Sequence, residues 1–96
     1  MPIDAVILKE RDNVATSLRD VKRAETVSVR LGEALRNVAI REDISYGHKF
    51  AVRDIRAGES ILKYGETIGR ATEDIPCGRH AHIHNIESLR GRGDLA

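Results

Sequence analysis

The chain has 96 residues, 41% of them hydrophobic, which suits one small domain with one modest core. Its 16 Lys+Arg nearly cancel its 15 Asp+Glu, and its aromatics are only Tyr46, Phe50 and Tyr64, so it has neither the basic excess nor the stacking platform of a nucleic-acid binder. The lone Cys77 excludes an internal disulfide framework, no apolar run of about 18 residues predicts a membrane span, and the N-terminus lacks a signal-peptide pattern, so the expected compartment is the cytoplasm.

Residues 3–8 are β-branched and aliphatic and predict a strand. Arg11-Asp12-Asn13 forms a polar break where the chain can turn. Residues 14–21 fit a short helix, or a strand with Val14, Thr16 and Leu18 on one face. Residues 26–30 alternate cleanly, with Val27 and Val29 inward, and Gly32-Glu33 breaks to a further strand at residues 38–40.

The pattern Asp-Ile-x-x-Gly then occurs three times, beginning at Asp43, Asp54 and Asp74. A degenerate copy, Asp20-Val21-Lys22-Arg23-Ala24, lacks the glycine. The irregular spacing points to one turn type reused rather than to a solenoid. The Ile would plug the core and the Gly would supply a positive φ. Strands are expected after each glycine, at residues 49–54, 60–64 and 80–86, with a hairpin turning near Gly65-Glu66. Short strands between frequent turn signals predict an all-β domain over residues 1–87. Residues 88–96 are expected to be a polar C-terminal tail suited to docking on something else.

Residues 80–85 read His-Ala-His-Ile-His-Asn. On a strand, His80, His82 and His84 would line one face, with Ala81 and Ile83 on the other. Histidines two apart lie roughly 6.5–7 Å from one another along a strand, so their rings can converge on one metal ion. A third ligand could come from His48, behind the Gly47 turn, or from His80. The same pattern also describes a solvated polar face. No Asp or Glu lies within the strand, and an incomplete ligand set suits a catalytic metal better than a structural one. Cys77 would need a depressed pKa to act as a nucleophile. Lys63-Tyr64-Gly65 either presents an ammonium and a phenol to a carboxylated ligand or is a hairpin tip with a solvated lysine. Residues 65–69 are not a phosphate loop, because no Gly-Lys-Ser/Thr follows.

Four motifs occur in order: Arg11-Asp12-Asn13-Val14-Ala15, Gly47-His48-Lys49-Phe50-Ala51, Ile61-Leu62-Lys63-Tyr64-Gly65-Glu66 with Ile68-Gly69, and His80-x-His82-x-His84-Asn85. Together they resemble the SAF domain of the altronate/galactarate dehydratase family, over about residues 5–95. The resemblance implies a β-clip fold, a strand-rich domain of hairpins folded over one another. It implies a large catalytic subunit as partner, a small sugar-acid substrate, and dependence on a divalent metal such as iron. By motif position it implies His48, His82 and His84 as metal ligands, with His80 as substitute, and Lys49 or Lys63 at the substrate carboxylate. Some relatives in the galactarate branch keep Gly-His-Lys without the alternating histidines, which sets His82 and His84 apart from a family-wide role. The sulfolactate sulfo-lyases, a sister branch that also splits into small and large subunits, are an alternative, and so is a non-catalytic sugar-acid-binding module. The Arg-Gly-Arg-Gly-Asp tail favours the sugar-acid branch. Whether the chain also forms a homo-oligomer to cover strand edges is left open by the sequence.

Overall fold

The computed structural model describes residues 3–88. Its organising unit is the repeated turn, whose four copies pair two by two. Val21 bridges Ile44 and Ile55 bridges Ile75, each pair antiparallel and joined by two backbone hydrogen bonds of 2.7–2.9 Å. The aspartates lock these pairs reciprocally. The backbone N–H of Arg23 donates to Asp43 and that of Tyr46 to Asp20, while Ala57 donates to Asp74 and Cys77 to Asp54, all at 2.8–2.9 Å. Each carboxylate thus accepts from the fourth residue of the opposite copy.

The apolar second residues, Val21, Ile44, Ile55 and Ile75, are buried. Burying one such side chain stabilises by roughly 1.5–3 kcal/mol. The fifth residue is left-handed in every copy, with φ of 82°, 90° and 88° at Gly47, Gly58 and Gly78. Ala24 holds the same place at φ 79° and so bears a cost of about 1–2 kcal/mol that glycine avoids.

Nine strands fill the intervals among the described residues: β1 (Ala5–Val6), β2 (Val14–Ser17), β3 (Thr26–Leu31), β4 (Ala34–Ala39), β5 (Lys49–Ala51), β6 (Ser60–Lys63), β7 (Glu66–Ala71), β8 (His80–Ala81) and β9 (Ile86–Ser88). One sheet runs β4-β3-β1-β2-β5-β8, antiparallel except for β1 beside β3, and the other runs β6-β7-β9. The all-β expectation holds. Residues 14–17 are strand rather than helix, and Leu18 lies exposed beyond its end. Val27 and Val29 point inward as their alternation predicts. Ser88 belongs to β9, and the rest of the expected tail lies outside the described residues.

The pair β2–β5 is the septum between two apolar clusters. Ala15 and Phe50 face one, with Ala5, Val27 and Ile44. Val14 and Ala51 face the other, with Ile55, Ile61 and Ile75. Alternate residues of one strand therefore serve two cores, as the two-residue side-chain period requires.

The polar break at 11–13 ties the second sheet to the first. The carboxylate of Asp12, fully buried, accepts four backbone N–H groups: Leu8 and Lys9 at 3.0 and 3.1 Å, Tyr64 and Gly65 at 3.0 and 2.7 Å. Asn13 Nδ2 donates to Ser60 O, and Asn13 Oδ1 accepts from Leu62 N. Arg11 donates to Gly65 O. The β6–β7 hairpin held this way turns at Tyr64-Gly65, one residue earlier than expected, because Lys63 pairs with Glu66. Both turn residues have positive φ, 54° and 81°, the mark of a type I′ turn. No helix among the described residues is long and apolar enough to cross a membrane.

Candidate metal centre

The candidate site lies where β5 and β8 meet. Phe50 pairs with His80 and Lys49 with Ala81, which sets His48, just before β5, beside the end of β8. The expected strand through residues 80–86 does not form. It stops at Ala81 and the chain turns back through residues 82–85. Asn85 is the cause. Its Oδ1 accepts the His82 N–H at 2.9 Å, its Nδ2 donates to His80 O at 2.8 Å, and its own N–H donates to His82 O at 3.1 Å. Ile83, expected with Ala81 on the face opposite the histidines, is instead 84% exposed at the turn tip, while Ala81 is buried.

The turn changes how the histidines meet. His82 folds over His48, with ring centroids 4.0 Å apart and planes at 15°. His80 stacks on the same pair at 5.1 and 5.4 Å. Its backbone N–H donates to Glu42 Oε1 at 2.8 Å, which anchors the start of β8. Ligand-capable nitrogens of His48, His80 and His82 all lie within 4.8 Å of one another. His84 is not in this group. It is exposed, and its ring is tilted 37° at 5.0 Å from His80.

Electrostatics favour neutral rings. Burial pushes the His80 pKa down to about 4, with His84, His48 and His82 pushing the same way and Glu42 opposing. Burial, then His48, Lys49 and His84, also lower that of His82. Neutral imidazoles keep the lone pair that a metal needs. His48 Nδ1 and His80 Nε2 are 2.9 Å apart, a hydrogen bond in which one ring must donate. His82 Nδ1 is buried with no partner, an arrangement that is costly unless something fills it. Two nitrogens on one ion sit at most about 4.2 Å apart, twice the bond length, so modest ring rotations would gather all three. The residues fit a divalent ion.

The lysines stand beside the rings. Lys49 is half-buried, and burial, then Lys63, depress its pKa. Its charge acts on both His82 and Lys63. Lys63 Nζ lies 5.0 Å from the Tyr64 ring centroid. Among the described residues no carboxylate forms an ion pair with either ammonium. Cys77 is no activated nucleophile: burial, then Asp54, push its thiol up. Asp12 and Asn85 fall within the first and fourth motifs without a role assigned to them there, and Glu42 falls within none, yet all three shape this region. The only signal was the preference of Asn and Asp for turns and backbone capping.

The family model of the altronate/galactarate dehydratase SAF domain matches residues 3–89. The altronate dehydratase of Escherichia coli (strain K12) is 45% identical over 77 residues, 80% of this chain and 15% of that protein. That of Bacillus subtilis (strain 168) is 38% identical over 81 residues, 84% of this chain and 16% of that protein. The (2R)-sulfolactate sulfo-lyase subunit alpha of Chromohalobacter salexigens is 39% identical over 51 residues, 53% of this chain and 54% of that subunit. The chain thus spans about one sixth of the altronate dehydratases it matches, yet nearly all of it falls within one domain model. It belongs to the altronate/galactarate dehydratase SAF-domain family.

Proposed function

We propose that the chain is the small subunit of an altronate-type sugar-acid dehydratase, a metal-dependent hydro-lyase working in the cytoplasm with a separate large catalytic subunit. The observation that carries this reading is the gathering of His48, His80 and His82 with a buried, unpartnered Nδ1 on His82. The short span relative to the altronate dehydratases supports the need for a larger catalytic region.

Dehydrating a sugar acid removes a weakly acidic C–H beside the carboxylate and expels the neighbouring hydroxyl as water. His48, His80 and His82 would hold the divalent ion, with iron as one choice and His84 as a substitute ligand. When bound, such an ion supplies Lewis-acid stabilisation of developing negative charge and of the departing hydroxyl. The chain's own contribution is positional. Asn85 and Glu42 fix the backbone of His80 and His82, and so hold their rings beside that of His48, close enough to share one ion. Lys49 or Lys63 pairs with the substrate carboxylate. The base that takes the C–H proton is assigned to the large subunit.

The test is altronate dehydration by the chain alone, by the large subunit alone and by the two combined, with metal content measured throughout. Activity is expected only in the combination, with metal and activity falling together in His82→Ala. Full activity of the large subunit alone overturns the proposal. Unchanged metal content and activity in His48→Ala and His82→Ala would favour the non-catalytic sugar-acid-binding module. The match to a sulfo-lyase subunit alpha supports a second reading, sulfite elimination from sulfolactate, which the same preparations decide by sulfite release.

A further inference from the structure

Tyr64 is a costly choice for its position. It is the first turn residue of the β6–β7 hairpin, with φ 54°, where Asn or Gly is the ordinary occupant. A bulky side chain held left-handed points to function, since local structure alone does not select it. Asp12 enforces the conformation by accepting the N–H of both Tyr64 and Gly65. The result places the phenol across the sheet gap from β2, with Tyr64 Oη 3.5 Å from Thr16 Oγ1. Hydroxyl pairs that bond each other sit near 2.7–2.8 Å, so these two are splayed. Two splayed donors suit one acceptor oxygen placed between them.

Charge points the same way. Thr16 pairs with Lys49 across β2–β5, and Lys63 adjoins Tyr64 in the chain and lies over its ring. The two ammonium groups repel each other, with no carboxylate partner among the described residues. An arriving anion would relieve that repulsion.

We propose that the Tyr64 and Thr16 hydroxyls, together with the Lys49 and Lys63 ammonium groups, form a carboxylate subsite for a small hydroxy acid, with Tyr64 as its specificity-determining contact. This rests on the proposed function for the identity of the acid, but the subsite requires no metal. The chain would therefore bind the acid after chelation, and the Tyr64 hydroxyl would account for about a tenfold share of the affinity, as expected for one hydrogen bond to a charged group.

The experiment is a nuclear magnetic resonance titration of the full chain, treated with chelator, with D-altronate and with the neutral polyol altritol. Altronate is expected to shift the amide signals of Thr16, Lys49, Lys63 and Tyr64, and altritol to leave them in place. Tyr64→Phe, which keeps the ring, should weaken binding about tenfold, and Thr16→Val should weaken it as well, each with an otherwise native spectrum. No altronate binding at millimolar concentration, equal response to altritol, or full affinity in Tyr64→Phe overturns the subsite. A parallel metal titration separates the two readings. Metal binding without altronate binding sinks the subsite alone, and altronate binding without metal binding sinks the metal-dependent function alone.

Discussion

Ala24 and Gly78 occupy the same place in the repeated turn and are under opposite constraints. Both are left-handed, at φ 79° and 88°. Ala24 bears its strain in the open, whereas a Cβ on Gly78 would sit 2.1 Å from the carbonyl oxygen of Ala39. Ala24→Gly should therefore raise stability by about 0.5–1 kcal/mol, the relieved strain exceeding the added chain entropy. Gly78→Ala should lower it by about 3 kcal/mol or more, since strain and a backbone clash combine. Chemical denaturation of both variants checks the pair, and equal effects of either sign would refute the shared turn geometry. At this scale the buried Ile and left-handed Gly were legible, because both act within their own five residues. The task of the Asp was not. Its donor partners lie 17 to 26 residues away in the opposite copy, where no local pattern reaches.

Among the elements, the alternating histidines were legible as a cluster and misread as a strand. His-x-His-x-His gives a perfect two-residue period, yet periodicity says nothing about what pairs with the backbone. Beyond Ala81 the partner is the Asn85 side chain, which takes up the His82 N–H and the His80 carbonyl. A side chain that supplies both a donor and an acceptor can outcompete a strand ladder over four residues. The register of β5 with β8 already sets His82 opposite His48, and the reversal holds it there, with the two rings stacked at 4.0 Å. His84 pays for the same bend by leaving the group. Asn85→Ala should therefore weaken divalent-metal binding about 10- to 100-fold, the usual effect of losing a group that orients a ligand. It should also cost about 1–3 kcal/mol of stability through the unsatisfied backbone groups. Competition against a chromogenic chelator measures the first effect. Unchanged affinity in a folded Asn85→Ala would show that the turn does not position His82.

For the whole molecule, the question is what keeps two small sheets in one body. The second apolar cluster contributes, but the polar connection runs through Asp12, which gathers amides from residues 8–9 of the first layer and 64–65 of the second. Burial works to raise the Asp12 pKa, and the four N–H donors together outweigh it, leaving it below the ordinary 3.8. Asp4 is lowered as well, burial again opposing, through the Ser28 amide and Arg19. A carboxyl with a depressed folded pKa binds its proton more readily in the unfolded chain. Its stabilisation is thus fully present above about pH 4 and is lost as pH falls through the lower folded value. Denaturant midpoints should hold steady from pH 7 towards 5 as far as these two groups are concerned, then fall below pH 4. The slope approaches about 1.4 kcal/mol per pH unit for each proton taken up. Asp12→Asn should begin less stable at neutral pH and lose less on acidification, because one of the two protons no longer counts. If the variant keeps the full acid slope, Asp12 is not the ionised tie between the sheets. If the slope flattens, the hairpin that carries Lys63 and Tyr64 to the site is held there by a single buried charge. The metal centre and the carboxylate subsite would then share one structural dependence.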